Sequence, residues 1–312
     1  MTAAAVGLSH SPLIGKNDPA PDVLARVEEA VAGAREFVRA YDPELVVLYA
    51  PDHYNGFFYK EMPPFCLATE AHAVGDFGTP AGPLSVDTAA AKALAQGVLD
   101  RGVDLTVSAR MTVDHGFAQP LDVLLGGIDR VPVVPVFVNG VATPLGPVAR
   151  VRALGTALGE AAAVLGRRTL FLASGGLSHD PPVPVLDGAP PKVADALIEG
   201  RPPTPEQRER GEQRVVRAGQ EYAVGTTSMI PINPDWDNRF LDHLEKGELA
   251  QFDSWTVAGM AEEGGGSAHE VRSWIAAFAS LAATGPYETT SRFYEPIPAW
   301  IAGFAVATAQ GR

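Results

Sequence analysis

A chain of 312 residues with 46% apolar and 20% charged residues has the composition of a globular protein with a substantial core, arranged as one large α/β domain or two smaller ones. Its formal net charge of -13 and lack of any dense lysine or arginine run argue against a nucleic-acid or anionic-membrane surface, which would repel it. The expected partner is a small molecule.

The lone cysteine, Cys66, has no intrachain disulfide partner and reads as a small buried apolar residue. No basic leader precedes the short apolar run at the N-terminus, and no apolar run reaches about 18 residues. These features predict a cytoplasmic protein with no membrane span.

Along the chain, apolar β-branched runs at residues 4–8, 45–50, 105–108, 131–138 and 169–173 predict buried strands. Helical patterns fit between them. From Pro21 onward, Leu24, Val27, Val31, Ala34 and Val38 form one stripe, while Arg26, Glu29 and Arg35 fall largely elsewhere. Residues 86–98 and 147–165 predict two more helices. The alternation implies a single α/β domain, 1–312, whose central sheet is largely parallel or mixed and flanked by helices. After Asp180 a proline-rich stretch leads into helix candidates at 206–222, 239–246 and 269–283, with no further strong strand run.

Four of the seven histidines sit in small-residue or turn-rich contexts near strand ends. His10 follows the first strand, His53 the second and His179 the fifth, and His115 precedes an apolar helix expected near Pro120. In an open α/β sheet the carboxyl ends of the strands line the ligand crevice, so these histidines are expected to converge. A site of two histidines and one carboxylate holds Fe(II) with open positions for substrate and O₂, and two histidines would remain for proton transfer. The same ligands would serve zinc hydrolysis. His72 and His243 read as surface residues, and only one of the neighbours His269 and Glu270 is expected to enter a site. Tyr54 and Tyr59 suit pocket packing or a hydrogen bond to substrate.

Four segments, Leu8-Ser9-His10-Ser11-Pro12-Leu13, Ala50-Pro51-Asp52-His53-Tyr54-Asn55-Gly56-Phe57-Phe58-Tyr59, Val113-Asp114-His115-Gly116-Phe117-Ala118-Gln119-Pro120-Leu121 and Ser174-Gly175-Gly176-Leu177-Ser178-His179, together carry a resemblance. It continues through Asn233-Pro234-Asp235-Trp236-Asp237-Asn238 and the closing segment from Pro296 to Phe304. The chain resembles the class III extradiol ring-cleavage dioxygenases, the family of the protocatechuate 4,5-dioxygenase catalytic subunit. The resemblance implies Fe(II) held by His10, His53 and Glu270, with His115 as proton donor and His179 as proton acceptor. It also implies extradiol cleavage by O₂ of a catechol with a carboxylated side chain, 3-(2,3-dihydroxyphenyl)propionate or its cinnamate analogue. A homo-oligomer is expected. The competing readings are a zinc-dependent hydrolase or ring opener on the same fold and a non-catalytic binding protein. Gly175-Gly176-Leu177 is too short for a dinucleotide-binding glycine loop.

Overall fold

The structure, a computed structural model, describes residues 3–312. In chain order the elements are β1 (Ala4–Leu8), α1 (Pro21–Tyr41), β2 (Leu45–Ala50), β3 (Phe65–Ala68), β4 (Ala71–Val74) and β5 (Ala81–Pro83). Then come α2 (Thr88–Asp100), β6 (Thr106–Ser108), β7 (Met111–Val113), α3 (His115–Leu125), β8 (Val133–Val138), α4 (Val148–Leu165) and β9 (Thr169–Ser174). The last part holds α5 (Pro191–Glu199), α6 (Pro205–Ala223), α7 (Pro234–Glu245), α8 (Val257–Gly264), α9 (Val271–Ala283), β10 (Tyr287–Ile297) and β11 (Ala302–Gly311).

Eight strands form one mixed sheet in the order β10-β11-β1-β9-β2-β8-β3-β6, and β5-β4-β7 form a small second sheet. Strands β1, β9, β2 and β8 run parallel as neighbours, whereas β11 lies antiparallel to β1 and β3 antiparallel to β8. Every residue of these four central strands is buried, which explains their unbroken apolar runs. Alternate residues serve opposite faces: Ala5, Val47 and Phe171 pack with α2, α4 and α9, while Ala4, Val46 and Leu172 pack with α1 and α3. The sheet is therefore covered on both sides, and the parallel strands β1, β2 and β9 all end at the same edge.

The expectation of no strand after Asp180 is overturned by β10 and β11, which pair from Tyr287↔Gly311 to Ile297↔Ala302. Their sequences hide them. β10 is the sheet edge and stays largely half-exposed, so it carries Thr, Ser, Arg and Glu; β11 is buried but built mostly from Ala and Gly, which carry no strand preference. The helix expected near Pro120 begins earlier, at His115, because the Asp114 carboxylate caps it by accepting from the Gly116 N–H. Likewise α7 starts at Pro234, capped by Asn233, five residues before the position expected. Among the described residues, no helix is long and apolar enough to cross a membrane.

Candidate active site

Each strand end is shaped locally before it delivers a side chain. Beyond β1, the backbone of Ser11 is clamped by Gln119, which accepts from its N–H and donates to its carbonyl, both at 3.1 Å. Beyond β2, the buried Asp52 carboxylate accepts the N–H groups of Asn55, Gly56 and Phe57, folding the chain sharply after His53. Gly56 is required there: a Cβ would lie 2.0 Å from the Thr112 carbonyl. Beyond β9, a Cβ on Gly175 would lie 2.8 Å from the Glu270 carbonyl oxygen, and the next N–H, that of Gly176, donates to Glu270 Oε2 at 2.9 Å. The glycine pair thus seats the carboxylate that arrives from the turn before α9.

These turns bring His10, His53, His115, His179 and Glu270 onto one cavity of about 420 Å³. Glu270 is the hub: its oxygens lie 3.2 Å from His53 Nε2, 3.2 Å from His179 Nε2 and 3.5 Å from His10 Nε2. The rings of His53 and His115 stack at 4.5 Å, and the His10 ring meets both edge-on. One ring nitrogen each of His10, His53 and His115 lies within 4.8 Å of the others, a spacing open to a metal ion.

The remaining ring nitrogens are all engaged, which fixes the rings. His10 Nδ1 pairs with Ser174 Oγ at 2.8 Å, His53 Nδ1 with Asp114 at 3.0 Å, His115 Nδ1 with Asp76 at 2.5 Å and His179 Nδ1 with the Leu177 carbonyl at 2.7 Å. Such outer partners orient ligating imidazoles and raise their basicity. Asp114 also accepts from the His53 and Gly116 N–H groups and from Asn55 Nδ2.

Electrostatics divides the histidines. Burial pushes His10 down to about 3, which favours the neutral ring that a metal ligand needs. Burial also disfavours the charged forms of the other three, but neighbouring carboxylates outweigh it: Asp114 and Glu270 lift His53 well above its ordinary value, Asp76 lifts His115, and Glu270 lifts His179. Burial acts against the Glu270 carboxylate too, yet the surrounding histidines, His179 first, hold it well below the usual range. A buried carboxylate facing three imidazole nitrogens is a donor set suited to a divalent cation, which would replace the protons that now bind the cluster together.

The family model described as the catalytic LigB subunit of aromatic ring-opening dioxygenase matches residues 4–305. This chain belongs to that family. It is 54% identical over 309 residues to a 2,3-dihydroxyphenylpropionate/2,3-dihydroxicinnamic acid 1,2-dioxygenase of a Rhodococcus species, covering 99% of this chain and 98% of the relative. A protein of the same name from Mycolicibacterium vanbaalenii is 56% identical over 302 residues, covering 97% and 96%. Among solved structures, an uncharacterized protein of Escherichia coli K12 shares the fold, with a TM-score of 0.50 at 14% identity over 99% of both chains. The chain is thus a LigB-family ring-opening dioxygenase.

In this LigB-family chain all five residues singled out from sequence reach one cavity. His269 does not line it; that ring is buried beside Arg272 with Nδ1 unpartnered, so Glu270 alone of the pair enters the site. His72 is exposed, and half-buried His243 pairs with Glu248. Tyr54 lines the cavity and its hydroxyl reaches that of Tyr59 at 3.4 Å. Cys66 is buried, as read.

Sequence reasoning assigned no role to Asp76, Asp114 or Ser174, the partners that orient the rings. Asp114 had a visible signal, because it lies in the Val-Asp-His-Gly segment. Asp76 lies far from His115 in sequence, in a turn with no motif of its own. The Asn233 to Asn238 segment acts at one remove: buried Asp237 accepts from the Ser178 N–H and Oγ, both at 2.7 Å, and from the Tyr294 hydroxyl at 2.6 Å, holding the turn that presents His179.

Proposed function

We propose that this chain is an Fe(II)-dependent extradiol dioxygenase, which opens the ring of 3-(2,3-dihydroxyphenyl)propionate or its cinnamate analogue beside the diol to give a 2-hydroxy-6-oxo-dienedioate. The observation that carries the reading is the meeting of His10 Nε2, His53 Nε2 and the Glu270 carboxylate in a cavity that also holds two further histidines. Those three side chains would hold the metal, which when bound supplies the redox link between the ring and O₂ that no side chain here can provide. The substrate assignment is supported by the names of relatives above 50% identity.

The other two histidines have distinct surroundings. The Leu177 carbonyl only accepts, so His179 Nδ1 keeps its hydrogen and the neutral ring carries its lone pair on Nε2. That atom would take a proton from the diol. Without a cation, Glu270 favours the protonated ring; sharing the carboxylate's charge with a cation weakens that pull and frees Nε2. His115 has Asp76 behind it, which favours the imidazolium, and would donate a proton as the ring opens. The same reading places the enzyme in the cytoplasm as a homo-oligomer.

The test is anaerobic loading of the purified chain with Fe(II), then O₂ consumption on a panel of 3-substituted catechols while a yellow dienol product is followed. One O₂ consumed per ring opened, with the propionate-bearing catechol preferred, is expected. Absence of uptake with every catechol would refute the reading.

A further inference from the structure

The cavity continues beyond the histidines beneath α6, and its wall there carries an unpaired cation. We propose that Arg208 is the residue that recognises the carboxylate of the substrate side chain; the proposal rests on the ring-cleavage reading above and names the specificity group it lacks.

The face that α6 turns inward follows helical spacing through Arg208, Gly211, Glu212, Val215 and Gly219. Gly219 is buried where a Cβ would strike Leu13 and the Asn17 amide, and Val215 packs on the apolar cluster that also holds Leu13 and Trp300. Glu212 Oε1 accepts the Phe77 N–H at 2.9 Å, and the Phe77 ring meets His115 edge-on at 5.2 Å. This bond fixes α6 relative to the proposed proton donor. Arg208 lies one turn further along the same face, about 5.4 Å by helix pitch. A propionate arm of three C–C bonds reaches about 4 Å from its ring, and the cavity that holds the histidines is lined by this turn as well.

Three cations line the cavity: Arg201, Arg208 and Arg214. Arg208 is half-buried, whereas Arg201, Arg214 and the neighbours Gln207, Glu209 and Arg210 are exposed. Although Glu212 stands four residues on, where an intrahelical ion pair could form, its carboxylate is turned to Phe77 and no acidic group lies within 4.0 Å of the Arg208 guanidinium among the described residues. A half-buried guanidinium with five unused donors is suited to bidentate capture of a carboxylate. Glu212 sharpens the selection, because a negative tail that stopped short of Arg208 would be repelled.

The experiment separates recognition from chemistry. Binding of 3-phenylpropionate and of its neutral amide, neither of which has a diol, is measured calorimetrically on metal-free wild-type, Arg208→Gln and Arg208→Lys proteins. The wild type is expected to prefer the acid, and Arg208→Gln to lose on the order of tenfold to a hundredfold in affinity for the acid and little for the amide. Arg208→Lys should recover part of the loss, since it restores the charge without the fork. Fe(II)-loaded Arg208→Gln should show the same selective loss in kcat/KM for the propionate while 3-propylcatechol is unaffected. An unchanged acid-to-amide ratio in Arg208→Gln, or no acid preference in the wild type, would overturn the proposal. Selective binding through Arg208 without O₂ uptake on any catechol would instead overturn the ring-cleavage reading and leave the anchor standing.

Discussion

Replacing Asp237 by alanine tests whether the turn carrying His179 is held from behind by a buried carboxylate. Asp237 is fully buried and accepts three hydrogen bonds, from the Ser178 N–H, the Ser178 hydroxyl and the Tyr294 hydroxyl. Alanine leaves the Ser178 N–H buried with no acceptor, at roughly 1–3 kcal/mol, and removes two hydroxyl bonds to a charged group worth about 1 kcal/mol each after the hydroxyls find other partners. Burial raises the pKa of Asp237, so its charge is held at some cost, and losing that charge offsets part of the sum. The expected loss is about 3 kcal/mol, a large share of the ~5–15 kcal/mol that typically separates folded from unfolded chains. Urea unfolding should show a lower midpoint with unchanged slope, and Asp237→Asn should recover about half, because its amide oxygen still accepts the Ser178 N–H. A variant within ~0.5 kcal/mol of wild type would refute the reasoning, and the motif from Asn233 to Asn238 would then need another explanation.

Asp76→Asn should move the alkaline limb of the kcat profile to lower pH. Asp76 raises the His115 pKa, so the imidazolium now persists to higher pH; without the carboxylate, burial becomes the larger influence and the proton is lost earlier, whereas an unmoved limb would clear Asp76 of this role. Gly175→Ala should push the Glu270 turn away, since the new Cβ would stand 2.8 Å from its carbonyl oxygen, and weaken iron binding on the order of tenfold in a metal titration. Activity should return to the stripped protein with Fe(II) and not with Zn(II), because ring opening needs a metal that exchanges electrons with O₂; recovery with zinc alone would favour a different chemistry.

The central strands were legible because burial on both faces leaves a continuous apolar run, and β1 and β2 match residues 4–8 and 45–50. His10, His53 and His179 were legible as a group because the parallel strands β1, β2 and β9 deliver their carboxyl ends to one edge, whereas His115 arrives from β7 of the small sheet at the start of α3. The last hairpin was not, since an edge strand needs only one packed face and β11 meets its neighbours through alanine and glycine. Nor were Asp76 and Ser174 legible as partners of His115 and His10. Each pairing is made by tertiary packing across long sequence separations, and neither an acid in a turn nor a serine at the end of a strand carries a local sign of it.

The most direct test of the account is the iron-to-protein ratio of four single variants prepared alongside their turnover. His10→Ala and His53→Ala are expected to lose bound iron, because their Nε2 atoms face Glu270 in the proposed ligand set. His115→Ala and His179→Ala are expected to keep iron near the wild-type ratio and lose turnover, because they carry protons. Loss of iron in a folded His179→Ala protein, or full iron retention in His10→Ala, would contradict the division of roles on which the mechanism stands.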